Sequence, residues 1–501
     1  MSLTAESVAE FRDWLKSNPG VSAELAKAGG ITQSTGLVFY DLQAPSEKAI
    51  PLITPLRLKI PRRPGKGDTS HRWKAIVALD KSVHPSVGEG NRGGVISTTV
   101  LPMSAAYAGL GLENPVTWEA RYAAENFEDV RATATSLGIY ALQQQEEWQF
   151  IGGMQSGALG RGAVPTCTAS ATTGTLANGT YDIYCVPLTL WAYKNATVGA
   201  TGLVQQFDRQ NADGTTDKVN GGIGRPSAIG NCTLNSTPDA IDCIADVTPG
   251  AVAYAWYIGK ESGQAAKIAK ITTIPACTLT ALPASGNQSF SALTDADYSY
   301  NDETTHGSTV LEYDGLLSYL TKYATNNMYF VDAGCASLAS DGQGGVDMIT
   351  TALEAFFTNY KLGPTDIWCS PTQAMQIRSL VIGNGGGSGK PIVRINTNGD
   401  GSRIMGGFDI PTLLNPFPTV TREIPVNVHP DIPDGTILFT SDKLPYQIQN
   451  LEAGPWVCRE RQPFYGLEWP MIHRKHEMGI YVDANLELHV PFAFGAIQGV
   501  K

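Results

Sequence analysis

Three stretches of this 501-residue sequence hold side chains whose types and spacing could do chemistry. The run 383–390 has the glycines and terminal lysine (Gly383, Gly385, Gly386, Gly387, Gly389, Lys390) of a loop that cradles phosphate with backbone N–H groups. It departs from that pattern three times. Asn384 stands where the first glycine belongs, Pro391 replaces the hydroxyl residue after the lysine, and the loop follows a helical stretch instead of a strand. It reads as a surface loop. His473 and His476 could offer two imidazoles to a metal, but Arg474 and Lys475 lie between them and disfavour a cation. Glu146 and Glu147 form a carboxylate pair, yet adjacent helical positions point in different directions, so they read as a solvated helix face. No Ser, Cys or His sits in a nucleophile motif. The sequence thus offers no catalytic constellation, metal set or cofactor site.

The most concentrated charge is basic. Residues 49–101 carry Arg57, Lys59, Arg62, Arg63, Lys66, Arg72 and Lys74 around two strand-like runs, 56–60 and 73–79. Between them the proline- and glycine-rich stretch 61–67 reads as a turn, which predicts a long two-stranded hairpin. Such a hairpin is marginal alone in water, so it should lie on something acidic. Three settings fit: a second copy of this acidic chain, a phosphate backbone, or plain solvent.

The stretch 127–151 must position much of the rest. Phe127, Val130, Ala134, Leu137, Ala141, Trp148 and Ile151 recur three and four apart, interrupted at Gln144, which predicts an amphipathic helix roughly 37 Å long. Gly152 and Gly153 end it. Gly138 in its middle costs about 1 kcal/mol relative to alanine, so packing must hold it.

Length and composition bound the class. A chain this long divides into several cores. The net charge of −11 opposes wholesale nucleic-acid binding. No apolar run is long enough to span a membrane, and residues 1–30 lack a signal-peptide pattern, so a cytoplasmic location is expected. Cysteines are sparse and lack Cys-x-x-Cys spacing, which favours thiols. Five of them (Cys167, Cys185, Cys232, Cys243, Cys277) fall in one segment, where a local disulfide stays open.

Residues 161–305 lose the helical period and gain Thr, Ala, Asn, Gly and Ser. Strand-like runs at 181–190, 251–258 and 268–274, separated by turns, predict a β-sandwich with Trp191, Trp256 and Tyr257 in its core. After 306 helices and strands mix. A helix follows Leu316. Asp347 opens another, with Ile349, Leu353, Phe356 and Tyr360 on one face. Residues 366–369 form a short strand, Ser370 and Pro371 start a helix, and 456–494 alternate as long antiparallel strands.

The order of these parts resembles the major capsid proteins of tailed bacteriophages, whose shell fold is shared with herpesviruses. The string 54–62 followed by 72–76 looks like that family's extended E-loop. Glu146-Glu147-Trp148 through Gly153 resembles the end of its spine helix, Tyr313-Asp314-Gly315 its re-entry into the axial A-domain, and 366–371 a strand-to-helix step there. The string 248–257 resembles an immunoglobulin-like or fibronectin-type module. The resemblance implies an α+β shell fold: N-terminal arm 1–48, E-loop 49–101, P-domain spine helix 102–160, inserted all-β immunoglobulin-like domain 161–305, A-domain 306–455 and P-domain C-terminal strands 456–501. It further implies a non-enzymatic structural protein. Its copies would form hexamers and pentamers of an icosahedral head around double-stranded DNA, without sequence-specific binding, with portal, scaffold and decoration proteins as partners. Assembly would occur in a bacterial cytoplasm and the product would be a virion. The seven basic residues Arg57, Lys59, Arg62, Arg63, Lys66, Arg72 and Lys74 would touch a neighbouring subunit. Phe127, Val130, Leu137, Trp148 and Ile151 would pack the spine helix, and Gly385, Gly386 and Gly387 would meet their copies around the capsomer axis. Two other classes compete: a phage tail or adhesion protein, and a carbohydrate-active enzyme with an immunoglobulin-like module.

Overall fold

The computed structural model describes residues 13–14, 17, 46–79, 82–125, 127–170, 172–235, 240–261, 263–301, 311–324, 328–342, 345–383, 412–417, 421–446, 454–471 and 473–501. Two compact units emerge, 1–51 with 118–133, and 52–117 with 134–501. In the first, Asp129 Oδ1 accepts from the N–H groups of Arg131 and Ala132 at 3.0 and 3.3 Å and so caps the helix that follows. Glu128 accepts from Ser46 N at 3.3 Å, and from the Ser46 and Thr133 hydroxyls.

In chain order the second unit begins with helix α1 (Pro55–Lys59), strand β1 (Arg62–Pro64) and strands β2 (Ser70–Leu79) and β3 (Thr98–Ala106). Sequence alternation predicts a strand over 56–60, and the structure corrects this to α1. Proline at the helix start and the i, i+4 spacing of Leu56 and Ile60 decide it: both are buried, whereas Leu58 is 80% exposed. The expected hairpin of 56–60 with 73–79 does not form, and a different one takes its place. β2 pairs antiparallel with β3, from Ser70↔Ala106 to Leu79↔Thr98, while β1 pairs parallel with a strand nearly 400 positions later, Arg62↔Cys458.

Next come β4 (Ala108–Glu113), the short β5 (Val116–Thr117), α2 (Trp118–Ala123) and the long helix α3 (Val130–Gly152). The sandwich strands follow: β6 (Thr166–Ala169), β7 (Gly179–Leu188), α4 (Leu190–Asn195), a small hairpin β8 (Gln206–Gln210) and β9 (Thr216–Asn220), β10 (Gly230–Leu234), β11 (Ile241–Ile244), β12 (Ala253–Lys260), β13 (Gln264–Thr272) and β14 (Ala276–Leu279). They form a four-stranded sheet, β10-β7-β12-β13, facing a three-stranded sheet, β14-β11-β6. Side chains from both sheets share one core that contains Tyr181, Ile183, Ile241, Trp256 and Leu279. Trp256 is fully buried in this core as expected. Tyr257 is also buried, but as its strand neighbour it points to the other face and packs with Val186, Leu188 and Ile268. Trp191 is 36% exposed, because it lies on α4 outside the sheets.

The remaining elements are α5 (Leu316–Tyr323), β15 (Tyr329–Asp332), α6 (Asp347–Tyr360), β16 (Asp366–Cys369), α7 (Pro371–Gly383), β17 (Thr412–Leu414), β18 (Glu423–Val428), β19 (Thr436–Thr440), β20 (Trp456–Glu468), β21 (Lys475–His476), β22 (Met478–Leu488) and β23 (Gly495–Gln498). β1, β20, β22 and β4 make a four-stranded sheet, and β15-β23-β19-β16-β18-β17 a mixed six-stranded one. Residues 456–501 therefore feed two sheets: β20 and β22 form the first, while β23 crosses to the second. The two sheets share a contiguous core through Phe150, Tyr313, Phe439, Trp456, Leu486 and Ile497. The architecture is mixed α+β. No helix among the described residues is long and apolar enough to cross a membrane.

Helix α3 lies on β22, but with a different face from the one the sequence indicates. Its buried row is Ala134, Gly138, Leu142, Glu146 and Phe150, with Glu147 and Ile151 beside it. Leu137 and Trp148 are only half-buried and Ala141 is exposed. The reason is close approach. A Cβ on Gly138 would stand 2.9 Å from Ile480 Cδ1, so in this part of the helix the small residues Ala134 and Gly138 take the buried positions. Trp148 instead lines a cavity of about 400 Å³ with Leu110, Leu112, Trp191 and Phe207, and Lys194 Nζ lies over its ring. The glycines ending α3 serve a contact too, since a Cβ on Gly153 would meet Tyr313 O at 2.4 Å.

Candidate functional site

Among the described residues, the pair Glu146 and Glu147 is a densely bonded place. The solvated-face reading of these residues is wrong: both are fully buried. They fall late in α3, where the row facing the core passes from small residues to carboxylates. Glu147 accepts from the first N–H groups of α1, Leu56 N at 2.9 Å and Arg57 N at 2.8 Å. Those donors have no intrahelical partner. Its Oε1 also lies 2.9 Å from His429 Nε2. Because Asp431 N donates to His429 Nδ1 at 3.0 Å, the ring proton sits on Nε2 and points to Glu147. Glu146 Oε2 accepts from Arg57 Nε and Arg62 Nη2, each at 2.7 Å. Arg62 also pairs with Glu460, and both guanidiniums lie over the Phe464 ring at 5.2 and 5.8 Å. Burial pulls the Arg62 pKa down, but the Glu146 hydrogen bond and nearby negative charge leave it above the usual arginine value. Burial and the charge of Glu146 raise the neighbouring Tyr313 phenol. Lys59 completes the attachment, pairing with Asp366 and, at 3.2 Å, with Asp442, and lying over the Trp368 ring.

A second buried carboxylate, Glu487 on β22, holds the root of the β2–β3 hairpin. Its Oε1 lies 2.9 Å from both Arg459 Nε and His71 Nδ1, and its Oε2 3.1 Å from His489 Nε2. Burial alone would push Glu487 up. Hydrogen bonds from His489 and Arg459 outweigh it and hold the carboxyl below its usual range. Trp73 packs between His71 and His489, with centroids 5.7 and 4.8 Å away. On the other strand, Asn485 Nδ2 donates to Ala105 O at 3.0 Å.

Away from this root the hairpin changes character. Ile76 is 68% and Val95 90% exposed, and Val87, Ile96 and Val100 are about half exposed or more. Arg63, Lys66, Arg72 and Lys74 are also exposed. The seven basic residues singled out in the sequence thus divide. Arg57, Lys59 and Arg62 are engaged by carboxylates of their own chain, and the other four face outward. Phe127 and Val130 are half-buried and belong to the first unit, Ile151 is buried in the core, and Gly385, Gly386 and Gly387 lie outside the described residues. Among the described residues no group of three or more His, Cys, Asp and Glu side chains is arranged to hold a metal. The bonding fixes geometry: Glu146 and Glu147 tie α1 and β1 to α3, and Glu487 ties the root of the β2–β3 hairpin to β20 and β22.

Sequence reasoning missed the carboxylates because their partners lie far along the chain: residues 56, 57 and 62 on one side, 429 on the other. One signal was present. Two adjacent glutamates at the end of a helix, in a chain with a cluster of arginines elsewhere, invite pairing, although spacing alone cannot name the partners.

No family model and no curated protein matches this sequence. Solved structures resemble it at low identity. A chain in the capsid of Myoviridae phage XM1 is 12% identical, with 94% of this chain and 100% of that one covered and a TM-score of 0.41. A chain from the capsid of the native GTA particle is 9% identical, covering 94% and 97%, with a TM-score of 0.44. A chain from Mycobacterium phage Bobi is 10% identical, covering 94% and 99%, with a TM-score of 0.40.

Proposed function

We propose that this chain is a self-assembling shell subunit, the major capsid protein of a tailed-phage head. In this reading copies join as hexamers and pentamers of a closed icosahedral shell around double-stranded DNA, and its role is structural, not enzymatic. The observation that carries it is the β2–β3 hairpin. Its root is bonded to the body through Glu487 and Asn485, while further out it exposes Ile76, Val95 and Val100; Arg72 and Lys74 on β2, Arg63 on β1 and Lys66 in the loop before β2 are exposed as well. An isolated two-stranded hairpin is marginal in water, and an exposed apolar patch rimmed by charge marks an interaction surface. The net charge of −11 makes a second copy a fitting partner for those cations.

Within this reading Arg63, Lys66, Arg72 and Lys74 reach a neighbouring subunit, whereas Arg57, Lys59 and Arg62 stiffen the base of the loop. Residues 1–48 act as an arm, α3 as the spine of a peripheral domain with β20 and β22, and the mixed sheet after 306 as the axial domain. Gly385, Gly386 and Gly387 meet their copies around the capsomer axis. The sandwich at 161–305 is an inserted immunoglobulin-like module that projects outward. Scaffold, portal and decoration proteins are its further partners, and assembly takes place in the host cytoplasm. An acidic subunit suits a container that must enclose DNA without gripping it.

The test reverses the outward cations. The variant R63E/K66E/R72E/K74E should keep the circular dichroism and melting curve of the parent, yet sediment as free subunits or capsomers under conditions where the parent forms particles. Normal particles from this variant would remove the hairpin from the account.

A further inference from the structure

Three cysteines stand in one row across the three-stranded face of the sandwich. Cys243 on the central strand β11 is directly opposite Cys167 on β6 and directly opposite Cys277 on β14. Cys243 and Cys277 are buried and Cys167 is half-buried, all without a disulfide. Cys185 and Cys232 of the facing sheet enter the same core. Directly opposed residues of antiparallel strands have Cα atoms roughly 4.5–5.5 Å apart. That spacing falls inside the window of roughly 4.4–6.8 Å that a disulfide spans.

We propose that Cys167 and Cys243 are a covalent modification site, closing as a cross-strand disulfide when the folded chain meets a disulfide oxidant such as oxidised glutathione. Cys243 can join only one neighbour, and access decides which. Cys167 sits on an edge strand and is the one member of the row that is not buried. Its thiolate attacks the oxidant, forming a mixed disulfide and expelling one thiolate. The Cys243 thiolate then attacks the Cys167 sulfur and expels the second. Two protons leave the protein thiols, two electrons pass to the oxidant, and the oxidant ends as two thiols. The bond ties β6 to β11 and closes a loop of about half the module's length, the kind of long closure that stabilises most. The neighbouring Cys243 thiol and burial both raise the Cys167 thiol, so the reaction is slow at neutral pH. The pairing needs no assumption about what the chain assembles into.

Full-length protein, purified reduced, is incubated with oxidised glutathione at pH 7, 8 and 9, alkylated, digested and mapped by mass spectrometry. The expected result is one Cys167–Cys243 cross-link whose rate rises about tenfold per pH unit. The link should persist in C277S and be lost in C167S and C243S. Oxidation should also raise the thermal midpoint of the parent but not of C167S, a half-buried site whose serine variant retains the core. Persistently free thiols in the folded parent, a link mapping to Cys243–Cys277, or loss of the link in C277S would each overturn the proposal.

Discussion

Glu146 shows how a buried charge can be an anchor. Its carboxylate accepts from two guanidiniums at 2.7 Å while its own side chain is fully buried. Removing one partner of such a pair strands the others in low dielectric, at a cost of about 3–5 kcal/mol. Glu146→Ala should therefore lower urea-unfolding stability by about that amount, whereas Lys74→Ala, an exposed hairpin cation, should change it by less than about 0.5 kcal/mol. Equal effects would place Glu146 outside the structural role assigned to it. Glu312 gives the pH counterpart. Glu312 is half-buried, and desolvation pushes its pKa up to about 7 from an ordinary 4.5, even though Met154 N donates to it at 3.0 Å. An acid whose folded pKa is raised contributes stability that is full below its unfolded value and is lost as pH rises through the folded value. Glu312→Gln should thus stabilise the chain at pH 8, by at most about 3 kcal/mol, and do little at pH 4. A flat difference across that range in urea titrations would contradict it.

At the scale of elements, legibility followed locality. The strand runs of the sandwich, the helix after Leu316, the helix opened at Asp347 and the Ser370-Pro371 start of α7 were all readable, because caps, turns and alternation are local signals. Segment 56–60 was not. Its Leu-x-Leu-x-Ile alternation mimics a strand, and only the carboxylate of Glu147, 90 residues away, satisfies the N–H groups that open α1. The stripe on α3 failed for a related reason. Periodicity weights large residues, and this helix buries Ala134 and Gly138 because the sheet comes too near for more. Gly138 therefore makes a sharp test. Alanine there gains about 1 kcal/mol of helix propensity and meets only the flexible tip of Ile480, so Gly138→Ala should be near neutral. Gly138→Leu should cost about 1–3 kcal/mol as overpacking, read by denaturant unfolding. A tolerated leucine would mean that the helix does not lie where it is described.

At the scale of the whole molecule, the hairpin is one part that, among the described residues, its own chain leaves uncovered. Its root is held through Glu487 and Asn485, and its outer surface keeps Ile76, Val95 and Val100 uncovered. The sequence signalled that basic residues gather in this region. It could not divide them into those held by the chain's own carboxylates and those left for a partner, because that division depends on where α3 and β20 lie. Burial of the exposed apolar positions at about 25 cal/mol per Å² would reward association, and the cations would orient it. The measurement that tests this most directly is electron microscopy of the intact chain expressed together with its scaffold candidate. Closed particles tens of nanometres across, with each hairpin lying over a neighbouring copy, are the predicted result. A chain that stays monomeric, or that builds only open tubes, would contradict the proposed shell.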